Sequence, residues 1–142
     1  MKTIVGFKKL SEEAIIPKYA HKGDAGLDIC SVEDVTINPG DYVGVHTGIA
    51  AEIPEGFEIQ VRPRSGMALK HGLTVLNSPG TVDSSYKGEI LVIVINHSKV
   101  PYTIHKGDRI AQLVVNEYES VISTELTELS DSERGENGFG SS

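Results

Sequence analysis

The chain has 142 residues, 39% of them hydrophobic, which is the size of one globular domain that can build its own core. Its formal net charge of −7 argues against a protein that binds nucleic acid through a basic face, because such binding displaces counterions from phosphates. A small anionic ligand is still compatible with this charge if a few basic residues converge or a divalent cation screens it.

Cysteine content and hydropathy narrow the class of protein further. The chain has one cysteine, Cys30, so we expect no intrachain disulfide and no structural zinc. Residues 1–14 lack the features of a signal peptide, and the longest apolar run, Ile90–Ile95, is far shorter than the roughly 20 residues that span a bilayer. These features predict a cytoplasmic protein with no membrane-spanning segment.

Short segments rich in Val, Ile and Thr alternate with turns that contain Gly or Pro. In chain order the predicted strands are Thr3–Phe7, Leu27–Ser31, Val35–Ile37, Tyr42–Ile49, Ala50–Ile53, Phe57–Val61, Thr74–Leu76, Glu89–Asn96, Tyr102–Ile104 and Arg109–Val115. Their even spacing is typical of β-sandwiches and β-barrels. We predict an all-β fold, a distorted jelly-roll barrel or sandwich with one short helix.

Asp28 lies in the segment Ala25-Gly26-Leu27-Asp28, at the start of a predicted strand. A carboxylate there can hold a hydrated Mg²⁺ through water, although an Asp that accepts backbone N–H groups is the simpler explanation. The five histidines occur singly, at no metal-ligand spacing, and are assigned no catalytic role.

The helix candidate is Ser65–Lys70, with Ser65 as its predicted N-cap. Arg62 and Arg64 precede it, and the backbone N–H groups of a helix start are suited to binding phosphate. A capped turn with two solvated arginines explains the same residues. The GxxxxGK[ST] pattern of a P-loop does not occur, so a Walker-type NTPase is not supported.

The stretch Leu73–Leu91 is predicted to form a β-hairpin around Asn77-Ser78-Pro79-Gly80. Asp83 and Tyr86 follow the turn, three residues apart, and can face one cavity. An ionised Asp can take a proton from water in a hydrolysis reaction, and Tyr offers a flat face to a sugar. An Asp that caps the turn and a Tyr that packs in the core explain the same residues.

In the segment Gly107–Leu113, polar and apolar residues alternate. The alternation predicts Arg109, Ala111 and Leu113 on one face of a strand, and Ile110 and Gln112 on the other. A polar Gln among buried neighbours needs a hydrogen-bond partner.

From Glu117 onward the chain becomes acidic and rich in Ser, a composition typical of mobile segments. Phe139 stands between two glycines in this region, where an aromatic side chain gains nothing from solvent. It is either an incidental Phe in a disordered tail or part of an arm that closes on a ligand. We predict a β-domain over residues 1–124 and a flexible C-terminal arm over residues 125–142.

The order and spacing of these segments resemble the five motifs of the trimeric dUTPases. The matching segments are Ala25–Ile29, Pro63–Gly66, Asn77–Glu89, Gly107–Leu113 and Arg134–Ser141, which together span nearly the whole chain. The resemblance implies a jelly-roll-like fold assembled as a homotrimer, with each active site built from all three subunits. It also implies hydrolysis of dUTP to dUMP and pyrophosphate, which keeps uracil out of DNA and supplies dUMP for thymidylate synthesis.

The resemblance also implies roles for individual residues. Asp83 would activate the water that attacks the α-phosphorus, and Tyr86 would pack beneath the deoxyribose and exclude a 2′-hydroxyl. Residues assigned to the uracil edge are Asn77, Gly80, Thr81, Val82 and Leu91. Residues assigned to the phosphates are Arg64, Ser65, Gly66 and Gln112. Residues contributed by the arm are Arg134, Phe139, Gly140 and Ser141, with the Phe stacking on uracil. Mg²⁺ would be held mainly by the substrate phosphates and meet Asp28 and Gln112 through water.

Two alternatives stay open at this stage. A dCTP deaminase shares the fold, but its base is a glutamate, whereas Asp83 and Tyr86 match the hydrolase. A module that binds a regulatory protein partner is the second alternative. Pro79 is one departure from the family pattern, because proline removes an amide donor from the turn near the predicted base site.

Overall fold

The computed structural model describes residues 2–141 and confirms a nearly all-β fold with one short helix. The elements are β1 Gly6–Lys9, β2 Leu27–Cys30, β3 Val35–Ile37, β4 Tyr42–His46, β5 Ile49–Glu52, β6 Phe57–Arg62, α1 Ser65–His71, β7 Leu73–Val75, β8 Gly80–Val82, β9 Leu91–Asn96, β10 Tyr102–Ile104 and β11 Arg109–Glu117. Within the described residues, no helix is long and apolar enough to cross a membrane.

The strands form jelly-roll-like antiparallel sheets that do not close into a barrel over residues 2–141. The largest sheet has the order β2-β11-β6-β8, and a second has the order β4-β9-β7. Two strand pairs, β1-β5 and β10-β3, complete the sheets. Most connections are therefore crossovers between sheets, as expected of a sandwich-like fold.

The core forms where the inner faces of the sheets meet. Ile29, Ile59 and Leu113 of the four-stranded sheet pack in one cluster with Val45 and Val92 of the three-stranded sheet, and all five are fully buried. In β6 and β9 every second residue is buried, as the alternation along a half-buried strand requires. Each fully buried aliphatic side chain contributes about 1.5–3 kcal/mol through removal from water.

Two predicted strands near the N-terminal half needed correction. The first strand is Gly6–Lys9, not Thr3–Phe7. The predicted segment Tyr42–Ile49 is broken after His46, because Gly48 adopts a left-handed φ of +65° and a Cβ there would lie 2.9 Å from that of Ala14. A break that only glycine tolerates separates β4 from β5.

The predicted hairpin is correct in its pairing and wrong in its connection. β7 and β9 pair antiparallel, with Val75 opposite Val94. The segment between them contains β8, which pairs with β6 of the other sheet. The sequence analysis missed β8 because it begins at Gly80, the last residue of the predicted turn. The connection therefore spans two sheets instead of forming a tight turn.

The helix is confirmed at Ser65–His71, but the predicted cap is wrong. Arg64 occupies the N-cap position without a side-chain hydrogen bond, and Ser65 is the first helical residue. The helix ends at Gly72, which has a left-handed φ of 66° and whose N–H donates to the carbonyls of Ala68 and Met67.

The C-terminal residues 118–141 contain no helix or strand in the structure. The last strand ends at Glu117, and the Tyr118 N–H donates to the Gly56 carbonyl at 3.0 Å. The boundary at residue 124 and the flexibility of the arm stay predictions.

We predict that Asn96→Leu destabilises the fold by about 3 kcal/mol, because it leaves several polar groups without their hydrogen-bond partner. Asn96 is fully buried, donates to the carbonyls of Ile37 at 2.9 Å and Val100 at 2.8 Å, and accepts from the Ser98 N–H at 2.9 Å. Urea unfolding at equal protein concentration measures the loss.

Thr103→Val is the matched control for this prediction. It removes one member of the exposed hydroxyl pair Thr36–Thr103, 2.8 Å apart, and should cost less than about 0.5 kcal/mol. Equal unfolding midpoints for the two variants would contradict the structural role of Asn96.

Candidate functional site

A cavity of about 250 Å³, here the Asp83 cavity, lies beside β8 and the start of β9. Its lining residues are Val61, Asn77, Gly80, Thr81, Val82, Asp83, Tyr86, Glu89, Ile90, Leu91 and Ile93. The structure thus brings together the residues that the family resemblance assigned to the uracil edge, the sugar and the attacking water.

Tyr86 is held at the edge of the Asp83 cavity. Its hydroxyl donates to the Glu89 carbonyl at 2.7 Å, and its N–H donates to the Asp83 carbonyl at 3.1 Å. A Cβ on Gly88 would lie 2.7 Å from Tyr86 Cζ, so glycine is required beneath the ring. The residue is 47% exposed, which favours a ligand-facing ring over a core residue.

Asp83 is exposed at the end of β8. Within residues 2–141 its carboxylate accepts no hydrogen bond, so it does not cap the turn through its side chain. A carboxylate without protein partners in a cavity is available to a water molecule.

Gly80 permits the close packing of the opposite wall. A Cβ at this position would lie 3.2 Å from Val61 Cβ and 3.3 Å from Asn77 Nδ2. Its absence lets the Asn77 amide lie against the backbone of β8, where backbone and amide groups together can read the edge of a planar base.

A second cavity of about 280 Å³, here the Arg64 cavity, lies where β2, β11 and the start of α1 meet. Its lining residues are Ala20, His21, Asp24, Ala25, Gly26, Asp28, Arg64, Ser65, Gly66, Arg109 and Gln112. Three of the five sequence motifs therefore converge on one surface.

Asp28 lies between two arginines in the Arg64 cavity. Its Oδ1 is 3.5 Å from Arg64 Nε and its Oδ2 is 3.4 Å from Arg109 Nη1. Arg64 Nη1 also donates to the Arg109 carbonyl at 3.4 Å. One carboxylate contacts both guanidiniums, and each guanidinium has further N–H donors that can bind phosphate.

Arg109 is a site residue that sequence analysis misplaced. A bulge in β11 sets Arg109 opposite Cys30 and Ala111 opposite Ile29, so Ile110 is the extra residue. Ile110 is buried with Ala111, while Arg109 is exposed and reaches Asp28 on the side of Gln112. Strict alternation predicted the opposite because a bulge shifts side chains from one face to the other.

Gln112 has the hydrogen-bond partner that its position required. Its Nε2 donates to the Pro63 carbonyl at 3.0 Å, which ties β11 to the segment before α1. A Cβ on Gly26 would lie 2.8 Å from Gln112 Cβ, and closer still to its Oε1. Glycine at position 26 is therefore needed for the Gln112 side chain to hold this orientation.

The Arg64 cavity offers few ligands to a metal. Among the described residues no group of three or more His, Cys, Asp or Glu could hold an ion. Asp28 is already engaged by Arg64 and Arg109, so a cation would meet it through water. This donor set fits Mg²⁺ that keeps its waters and is bound mainly by substrate phosphates.

The predicted residues of the C-terminal arm lie apart from both cavities. Phe139 is fully exposed with a positive φ of 53°. Arg134 Nε donates to the Asn137 carbonyl at 2.7 Å, and the Ser141 N–H donates to the Gly138 carbonyl at 3.0 Å. The structure of one chain therefore does not bring Arg134, Phe139, Gly140 or Ser141 to the other site residues.

Comparison with known families settles the relationship of the chain. The family model described as dUTPase matches residues 12–142. The chain belongs to the dUTPase family. A deoxyuridine 5′-triphosphate nucleotidohydrolase from Trichodesmium erythraeum is 56% identical over 134 residues, and one from Clostridioides difficile is 54% identical. Each alignment covers 94% of both proteins.

Solved dUTPase structures share the fold. The Staphylococcus bacteriophage 80alpha dUTPase with dUpNHpp has a TM-score of 0.87 and 32% identity, with 99% of each chain covered. A dUTPase from S. aureus phage phi11, described with a structural Mg(II) ion, has a TM-score of 0.81 and 27% identity, covering 91% of this chain and 100% of its own. As a dUTPase, the chain is an enzyme that hydrolyses dUTP.

We predict that Gly26→Ala lowers dUTPase activity by about tenfold or more, because the new Cβ displaces Gln112 from the Arg64 cavity. Steady-state pyrophosphate release measures the loss, and circular dichroism checks that the fold is retained. Gly6→Ala is the matched control, since a Cβ there makes an ordinary 3.4 Å contact with Glu52 Cβ. Full activity of Gly26→Ala would refute the proposed packing against Gln112.

Proposed function

We propose that the chain converts dUTP to dUMP and pyrophosphate by attack of water on the α-phosphorus, with Asp83 as general base. The observation that carries this proposal is the Asp83 carboxylate, exposed beside Tyr86 and free of hydrogen bonds within residues 2–141. Such a group can orient a water and take its proton, the task that a general base performs in hydrolysis.

The nucleoside is proposed to bind in the Asp83 cavity. The Asn77 amide and the backbone of Gly80, Thr81 and Val82 would read the uracil edge, with the backbone of Leu91 opposite. A site that pairs with uracil leaves its own polar groups unpaired with cytosine, which disfavours dCTP. The Tyr86 ring, held by the Glu89 carbonyl, is the proposed support for deoxyribose that leaves no space for a 2′-hydroxyl.

The phosphate chain is proposed to bind in the Arg64 cavity. Ser65 and Gly66 would supply a hydroxyl and backbone N–H groups, and the Arg64 guanidinium would supply charge beside Gln112. Phosphoryl transfer depends mainly on positioning and charge stabilisation, which such groups provide.

Mg²⁺ is the proposed cofactor, with Asp28 and Gln112 as the residues that hold its waters. When bound, the ion supplies charge stabilisation to the phosphates. The support from the structure is the pair of oxygen-bearing side chains, Asp28 and Gln112, beside the proposed phosphate site, and the support from the relatives is the phi11 neighbour described with Mg(II).

A homotrimer with shared active sites is proposed because one chain separates the parts of the site. The Asp83 cavity and the Arg64 cavity have no lining residue in common, and the arm reaches neither. The region that includes the arm also exposes large apolar side chains, at Val121, Ile122, Leu126 and Leu129. Burial of these side chains on neighbouring copies would stabilise an assembly.

In the cell, this activity would keep uracil out of DNA and supply dUMP for thymidylate synthesis, and the proposed compartment is the cytoplasm. The dUTPase of phage 80alpha is described as one of the phage dUTPases that control the transfer of virulence genes.

The experiment that tests the proposed reaction compares dUTP with dCTP, dTTP and UTP in the presence of Mg²⁺. We expect pyrophosphate release from dUTP at a kcat/KM at least about 100-fold above that for the other three. Cytosine would leave polar groups of the site unpaired, thymine adds a 5-methyl group that the base site must accommodate, and the 2′-hydroxyl of UTP would meet the Tyr86 ring. Ammonia release from dCTP would instead identify a deaminase. Binding of dUTP without release of pyrophosphate would identify a binding module.

In the same assay, we predict that Asp83→Asn lowers kcat by about 100-fold or more while dUTP still binds, since the amide cannot take a proton. Asp41→Asn is the control, because it makes the same charge change at an exposed residue that lines neither cavity. A wild-type rate for Asp83→Asn would remove Asp83 from the mechanism.

A further inference from the structure

One wall of the Asp83 cavity is formed by Tyr86 and the segment Glu89–Leu91. Hydrogen bonds connect this wall to the residues around the junction of β4 and β5. Ile90 N–H donates to the Ile49 carbonyl at 2.8 Å, and the Thr47 hydroxyl donates to the Ile90 carbonyl at 2.6 Å. These two hydrogen bonds connect neutral groups, so they do not change with pH.

Glu89 makes the charged part of this connection. Its Oε2 accepts the Gly48 N–H at 2.9 Å, and its Oε1 lies 3.0 Å from His46 Nδ1. The backbone carbonyl of the same residue accepts the Tyr86 hydroxyl at 2.7 Å. His46 lies opposite Leu91 in the β4-β9 pairing, and Leu91 also lines the cavity.

We propose that His46 is a positioning residue that, by its pairing with Glu89, fixes the wall carrying Tyr86 and Leu91 and makes nucleotide affinity depend on pH. The proposal rests on the proposed function, because it assumes that the Asp83 cavity binds the nucleoside. His46 is not among the residues that line the cavity, and it acts through Glu89, which is one of them.

The charges around His46 set the direction of the dependence. The carboxylates that face it are Glu89, which precedes β9, and Glu33, from the segment after β2. The hydrogen bond to Glu89, and then the charges of Glu89 and Glu33, raise the pKa of His46 above its ordinary value of 6.5.

Glu89 stays ionised over the range in which His46 titrates. Burial acts to raise the pKa of Glu89, but the hydrogen bonds from His46 and Gly48 outweigh it and lower the pKa below 4.5. The charged pair is therefore complete between the lowered pKa of Glu89 and the raised pKa of His46. It is lost when the pH rises through the pKa of His46, so affinity should fall there.

The test is calorimetric titration of the full chain with dUpNHpp at about pH 6 and about pH 8. His46→Gln keeps a hydrogen-bonding side chain but cannot carry a charge. We expect it to weaken binding by about two- to fivefold at the lower pH, the range for an exposed ion pair, and to leave it unchanged at the higher pH. Comparison of variant with wild type cancels the titration of the ligand's phosphates.

His105→Gln is the matched control. His105 Nδ1 lies 4.0 Å from Asp34 Oδ1 in a more exposed pair whose residues line neither cavity. We expect the affinity of His105→Gln for dUpNHpp to equal that of the wild type at both pH values.

In steady-state assays, His46→Gln should raise KM for dUTP at the lower pH with little change in kcat.

A second measurement follows the His46 ring by NMR. Glu89→Gln should return the titration of His46 towards its ordinary pKa, and an unchanged titration would overturn the pairing. A wild-type to His46→Gln affinity ratio that is equal at both pH values would overturn the positioning role. Failure of the wild type to bind dUpNHpp would refute the proposed function instead.

Discussion

The antiparallel pairing of β6 with β11 is the constraint on which the rest of the site depends. Gln112 lies opposite Arg62 of β6 on one side and opposite Asp28 of β2 on the other. The register of β11 therefore sets the positions of β2 and β6 relative to each other. The hydrogen bond from Gln112 to the Pro63 carbonyl then fixes where the chain leaves β6 and enters α1. The residues of the Arg64 cavity converge because of this register.

The same strand, β6, also organises the Asp83 cavity. β8 pairs with its free edge, with Val61 opposite Gly80, and β9 returns in the other sheet to carry Leu91. The two cavities thus depend on one sheet but have no lining residue in common. This arrangement is the reason for proposing a nucleotide site shared between copies, with the arm closing on a neighbour.

Local signals in the sequence predicted much of this structure. Alternating apolar residues predicted most strands, and the helix at Ser65–His71 differs from its prediction by one residue. Asp83 and Tyr86 were correctly expected to share a cavity, because they are neighbours in sequence across one turn.

Features that depend on distant contacts could not be predicted from the sequence. The bulge that turns Arg109 toward Asp28 has no residue signature, and it moved a charge to the face opposite to the predicted one. β8 was missed because it is only three residues long and begins at Gly80, which the sequence assigned to the turn. His46 was assigned no role, since Glu89, its partner, lies 43 residues away.

A subunit-mixing experiment tests the proposed shared site most directly. Chains with Asp83→Asn and chains truncated before Arg134 are each expected to be inactive alone, but mixed trimers would pair the intact Asp83 of one with the intact arm of the other. After joint denaturation and refolding, we expect dUTP hydrolysis well above the sum of the two separately refolded variants. Activity no greater than that sum would contradict a site built from several copies.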